Sequence, residues 1–166
     1  MLAQLVAFGK RIAPEASANG ITVVIEPLRC QETNIINSTA EGLALVKAVG
    51  DPNFELLIDF FHLASKKEDP AIILEARDHI RHLHVANPQG RVFPQQWEEY
   101  DCAPFFANLR RIGYAGGISV EASSKDVPAD APRAIALLRR AFRPRGLRPP
   151  DPLTRSDRDS FYHAIP

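Results

Sequence analysis

Cysteine is scarce in this sequence: Cys30 and Cys102 are the only two among 166 residues. They lie far apart and lack the spacing of a metal-binding pair, so they read as reduced thiols in a cytoplasmic protein. No run approaches the roughly 20 apolar residues that span a bilayer, so no membrane role is expected. The opening stretch, Met1-Leu-Ala-Gln-Leu-Val-Ala-Phe8, has no positive charge ahead of its apolar residues and does not resemble a secretory signal. Net charge is missing too, because twenty basic and twenty acidic side chains cancel. That removes the overall electrostatic footprint of a nucleic-acid binder. What remains is an ordinary composition, long enough for one domain with a real core.

The chain is organised around Ile21-Thr-Val-Val-Ile-Glu-Pro-Leu28. Its β-branched run predicts a strand buried on both faces, as in a parallel sheet. Pro27 cannot donate to a ladder, so the strand ends with Glu26 at its C-terminal rim. The pattern recurs at Phe54–Asp59, at Ile80–Ala86 with His84 near its end, and at Gly117–Glu121.

Helical patterns alternate with these strands. An apolar stripe of Leu2, Leu5, Val6, Phe8 and Ile12 predicts a helix over 2–18, bent or broken at Pro14. Ser38-Thr-Ala-Glu41 fits a capping box ahead of a helix ending at Gly50. Ser65-Lys-Lys-Glu68 reads as a second cap, with Pro70 in the first turn of the helix carrying Ile72, Ile73, Leu74 and Ala76. A helix over Ala103–Ile112 follows, and Asp130 reads as the cap of a last helix carrying Ile135, Leu137, Leu138 and Phe142. Residues 1–142 thus form one α/β unit of four parallel strands joined by right-handed crossovers. Residues 143–166, rich in proline and arginine, read as a solvated tail.

In such sheets the C-terminal ends of the strands carry the ligand site. Glu26, Asp59, His84 and Glu121 lie at or near those four ends. Three carboxylates at close range repel unless a cation sits between them. Carboxylate oxygens with one imidazole suit Mn²⁺, Mg²⁺ or Co²⁺. The bland alternative is a set of surface salt bridges. Glu32, His62 and Arg91 fall in loops above the strands, where they solvate ordinary turns or bind substrate hydroxyls, Arg91 also stabilising negative charge. His82 shares a side with His84 but lies deeper, as a core histidine would. Phe60, Phe93 and Trp97 read as core or as an apolar wall.

Several segments resemble the ketose 3-epimerases, the D-tagatose and D-psicose epimerase group of the xylose-isomerase-like (β/α)₈ barrels. They are Ile25-Glu-Pro-Leu28 with Glu32-Thr33 and Asn37, Leu57-Ile-Asp-Phe-Phe-His62, His82-Leu-His-Val-Ala86 with Arg91, and Tyr100-Asp101 with Gly113-Tyr114 and Ser119-Val-Glu121. The resemblance covers about residues 1–142 and implies the C-terminal half of a TIM barrel, βα units 5–8 with the preceding helix. It implies Glu26, Asp59, His84 and Glu121 as metal ligands, most often for Mn²⁺. It implies Glu26 and Glu121 as the acid/base pair, and Glu32, His62 and Arg91 as contacts to a small sugar. Proton transfer next to a ketose carbonyl through a metal-stabilised enediolate is the implied chemistry. A hydroxypyruvate-isomerase-like aldose–ketose isomerisation is close to it, and the Gly90-Arg91 loop resembles those enzymes. An inactive fragment or interaction module, and an endonuclease-IV-like phosphodiesterase, are the readings from other classes. A half-barrel leaves both sheet edges unpaired, so the chain is either a truncation or a homodimer joined through those edges.

Overall fold

The computed structural model describes residues 2–96 and 100–142. Helix α1 (Leu2–Ala18) runs unbroken through Pro14, so the chain does not break there. Pro14 is exposed, so water can solvate the carbonyl left without its helical partner. Then follow β1 (Val23–Ile25), α2 (Thr39–Val49), β2 (Phe54–Asp59), α3 (Phe60–Lys66) and α4 (Ile72–Ala76). A 3₁₀ turn at Arg77–His79 leads into β3 (Ile80–Val85), then α5 (Ala103–Arg111), β4 (Gly117–Val120) and α6 (Val127–Ala141). The strands form one sheet in the order β1-β2-β3-β4, and every neighbouring pair is parallel. This is a partial TIM barrel.

The helices cover one face of the sheet. Leu56, Ile58, Leu83 and Val85 point into a core completed by Phe105, Phe106 and Leu109 of α5, with Val46 and Val49 of α2. Burial on both faces holds for β2 alone: β1 and β4, at the edges, are half-buried or exposed. Gly42 brings α2 close to the sheet, since a Cβ there would lie 2.7 Å from Pro27 Cγ and 2.8 Å from Leu56 Cδ1.

The other face carries the polar residues, and the register says why. Asp59 lies opposite His84, and His84 opposite Ser119, so all three share a face. Glu121 follows Ser119 by two residues, and Glu26 follows Ile25, the partner of Leu56. A β-bulge completes the arrangement. Leu56 pairs with Ile80 but Leu57 pairs with His82, so Arg81 is an extra residue on β3. Ile80 can therefore enter the core while His82 and His84 both face the polar side.

Three local expectations need correction. Ser65 lies inside α3, which begins directly after Asp59 because the Asp59 carboxylate accepts from Phe61 N–H at 2.9 Å. His62 thus sits in the first turn of a helix and not in a loop. Glu68 caps a different helix: its carboxylate accepts from Thr39 N–H at 2.9 Å and Ala40 N–H at 3.1 Å, at the start of α2. Asp126 caps α6, by accepting from Ala129 N–H, whereas Asp130 accepts from Ser124 Oγ. The Ser38 cap holds, with its hydroxyl accepting from Glu41 N–H. The Glu41 carboxylate reaches one residue further back than a capping box requires, to Asn37 N–H.

Candidate functional site

Each member of the constellation is aimed by its strand end. Pro27 stops β1 and leaves Glu26 at the rim, the capping of α3 holds Asp59, and the bulged β3 presents His84. Glu121 follows the last residue of β4. Glu26, Asp59, His84 and Glu121 each offer one ligand atom, and the four atoms all lie within 4.8 Å of one another. His84 Nδ1 is 2.8 Å from Glu121 Oε2 and 3.3 Å from Glu26 Oε1. A hard divalent ion with bonds of about 2.1 Å holds opposite donors about 4.2 Å apart, so the cluster is near coordinating scale. The donor set, oxygens with one imidazole, fits such an ion.

Asp59 has its side chain out of contact with solvent. One oxygen, Oδ1, takes the Phe61 N–H, while Oδ2 has no hydrogen-bond partner among the described residues. Burial pushes this carboxyl up to about 6. The Phe61 bond and Arg91 oppose that rise, and the charges of Glu26 and Glu121 add to it. Glu26 is also raised, first by burial and then by Glu121, against the pull of His84.

His62 supplies the complementary orphan. Its Nδ1 accepts from Arg29 N–H at 3.2 Å, so in the neutral ring Nε2 carries the proton. That Nε2 is buried without a hydrogen-bond partner, 3.8 Å from Asp59 Oδ2 and 4.0 Å from Glu32 Oε2. Burial lowers the His62 pKa and favours the neutral ring, with Glu32 opposing. A buried donor and a buried acceptor, both unsatisfied and 3.8 Å apart, mark a place shaped for a polar guest.

The two remaining expected residues close the rim. Burial pushes Glu32 upward, but the Arg29 hydrogen bond and the charges of His62, Arg29 and Arg91 prevail and hold it below its ordinary value. Arg91 lies 3.1 Å from Glu121 Oε2, 3.5 Å from Glu32 Oε2 and 3.7 Å from Asp59 Oδ2. All seven singled-out residues therefore meet in one neighbourhood.

His82 does share the face of His84, but it is not a core residue. It is half-buried and hydrogen-bonded through Nε2 to Ser119 Oγ at 2.8 Å. Phe60 is core, packed on Tyr100 and Phe105. Phe93 is half-buried, and Trp97 lies outside the described residues. Sequence reasoning missed Arg29 and Phe61. The guanidinium carbons of Arg29 and Arg91 lie 4.8 and 4.9 Å from the centroid of the Phe61 ring. The usable signal was Arg29 standing three residues before Glu32, which it meets at 2.6 Å.

Among the described residues no helix is long and apolar enough to cross a membrane. Residues 2–141 match the family model described as xylose isomerase-like TIM barrel. The chain is 32% identical to an L-ribulose 3-epimerase of Methylomonas sp. (strain DH-1), over 75% of this chain and 43% of that protein. It is 30% identical to a ketose 3-epimerase of Arthrobacter globiformis, over 78% of this chain and 45% of the relative. The crystal structure of a D-allulose 3-epimerase from Methylomonas sp. in complex with D-allulose superposes with a TM-score of 0.76 at 28% identity. That match covers 82% of this chain and 54% of the solved one. The chain thus spans somewhat under half the length of these curated relatives. With its four-stranded sheet and this match over nearly all its described length, it belongs to the xylose isomerase-like TIM barrel family.

Proposed function

We propose that this chain carries the reacting centre of a metal-dependent ketose 3-epimerase. The observation that supports this reading best is the convergence of Glu26, Asp59, His84 and Glu121 beside the unsatisfied Asp59–His62 pair. The relatives' names supply the substrate class, a small ketose.

Removing a proton next to a ketone builds negative charge on the carbonyl oxygen. Glu26, Asp59, His84 and Glu121 would hold a divalent ion, with Mn²⁺ the best candidate, which would supply Lewis-acid stabilisation of that charge. Glu26 and Glu121 are the acid/base pair: one takes the proton from one side of the reacting carbon and the other returns a proton from the opposite side, which inverts the centre. Burial raises the Glu26 carboxyl above its ordinary value, which makes it a stronger base than a solvated carboxylate. His62 donates its Nε2–H to a substrate hydroxyl. Glu32 accepts from another, and Arg91 adds positive charge at the rim. Removal of a proton from C1 instead, with its return at C2, would give aldose–ketose isomerisation from the same groups.

The test is incubation of the chain with Mn²⁺ and a panel of ketoses in D₂O, followed by NMR. Deuterium at C3 with the 3-epimer supports the proposal, and an aldose carrying deuterium at C2 supports the isomerase reading. No exchange at any carbon, together with no metal uptake, overturns both and leaves the fragment or interaction-module reading.

A further inference from the structure

Arg91 is unusually well fixed for a rim arginine. Its backbone lies in the left-handed region at φ 51°, directly after Gly90 at φ 84°. Its N–H donates to the Asn87 carbonyl at 3.1 Å, and its carbonyl accepts from Ser123 N–H at 2.9 Å. The loop after β3 is thereby tied to the segment after β4, and the strained residue is over-determined by its neighbours. The side chain is also held, because its guanidinium rests on the Phe61 ring.

The place where it is held matters. Its nearest carboxylate oxygens on the cluster are Glu121 Oε2 and Asp59 Oδ2, on two of the four residues that converge for an ion. A permanent positive charge there repels a divalent cation entering the cluster. The alternative anion is Glu32, but its Oε1 is taken by Arg29 at 2.6 Å, leaving Oε2 3.5 Å from Arg91. Arg29 rests on the same Phe61 ring. Two cations thus share one carboxylate and one aromatic platform, and the claim of Arg29 on Glu32 leaves Arg91 to the cluster.

We propose that Arg29 and Phe61 are positioning residues that hold Arg91 as a built-in counter-cation of the carboxylate cluster, which competes with the incoming metal and shifts onto Glu32 as the ion binds. This rests on the metal reading above and adds to it a role for Arg91 before any substrate arrives. Without metal, Arg91 neutralises part of the repulsion among three acids. With metal, it is displaced towards Glu32, which places its positive charge beside the substrate position instead of against the ion.

The test is Mn²⁺ affinity of the purified full chain, read by the EPR signal of free Mn²⁺ and needing no turnover. Arg91→Gln is expected to bind Mn²⁺ about tenfold more tightly than the wild type. Arg29→Gln, which frees Glu32 to draw Arg91 away, is expected to tighten binding about threefold. Arg29→Lys keeps the charge on Glu32 and should stay within about twofold of the wild type. Circular dichroism checks that each variant is folded, and Arg29→Gln keeps the question decidable if Arg91→Gln is not. Wild-type binding with Arg91→Gln unchanged or weaker overturns the inference and leaves the metal reading intact. Absence of Mn²⁺ binding in all four proteins overturns both.

Discussion

Asp59 is the residue at which stability and chemistry pull in opposite directions. Its carboxyl titrates at about 6 in the fold against 3.8 for the free side chain, so the folded chain binds this proton more tightly than the unfolded one. The stability it contributes is therefore complete below about pH 4 and lost as the pH rises through about 6. In the metal-free chain the loss amounts to about 3 kcal/mol at most. Asp59→Asn keeps an acceptor for Phe61 N–H and removes the charge. The metal-free variant should be more stable than the wild type by about 1–3 kcal/mol at pH 7, and by nearly nothing at pH 4. Urea denaturation at the two pH values, with EDTA present, measures this directly. The same variant should lose Mn²⁺ binding. That Asp59 would meet other polar strand ends was legible in the sequence, because a carboxylate at the end of a buried strand has to answer to something. Its second task, capping α3, was not legible, since Phe60 read as core or an apolar wall and the segment after Asp59 as a loop.

At the scale of elements, α2 is the helix on which the site's geometry leans, because it packs against Pro27, next to Glu26. Gly42→Ala would place a methyl 2.7 Å from the rigid Pro27 ring and 2.8 Å from a fully buried Leu56. Overpacking of this kind costs about 1–3 kcal/mol, more than the roughly 1 kcal/mol that alanine gains in helix propensity. The expected result is a lower midpoint in thermal unfolding, although propensity alone would raise it. Glu68→Ala removes the acceptor for two N–H groups at the start of α2 and should cost about 1 kcal/mol in urea denaturation. The strands were legible from their periodicity and their terminal acids. The Glu68 cap was not, because its partners lie 28 and 29 residues away and local spacing holds no trace of such a bond. The bulge at Arg81 was hidden for a related reason. Ile80, Leu83 and Val85 do not alternate strictly, and only the register against β2 shows that the extra residue resolves the conflict.

At the scale of the molecule, the sheet has two edges. Strand β1 and strand β4 each have one neighbour among the described residues. Leu2, Phe8 and Ile21 are exposed on α1 and just ahead of β1, as are Val127 and Ile135 on α6. Unpaired edges flanked by apolar side chains favour association. Analytical ultracentrifugation of the chain at tens of micromolar, a range chosen on the order of ordinary weak association, should give a mass above the 18.4 kDa of one copy. A strictly monomeric chain would show that the edges are protected in another way. The parallel half-barrel was readable because strand and helix patterns alternate four times. What pairs with its edges was not, because no side chain of the described residues reports on it. All four converging donors lie between Glu26 and Glu121, within a single contiguous stretch, so the cluster is separable from whatever walls face it. On the epimerase reading proposed above, joining this stretch to different flanking walls would alter the space around the cluster while leaving all four donors in place.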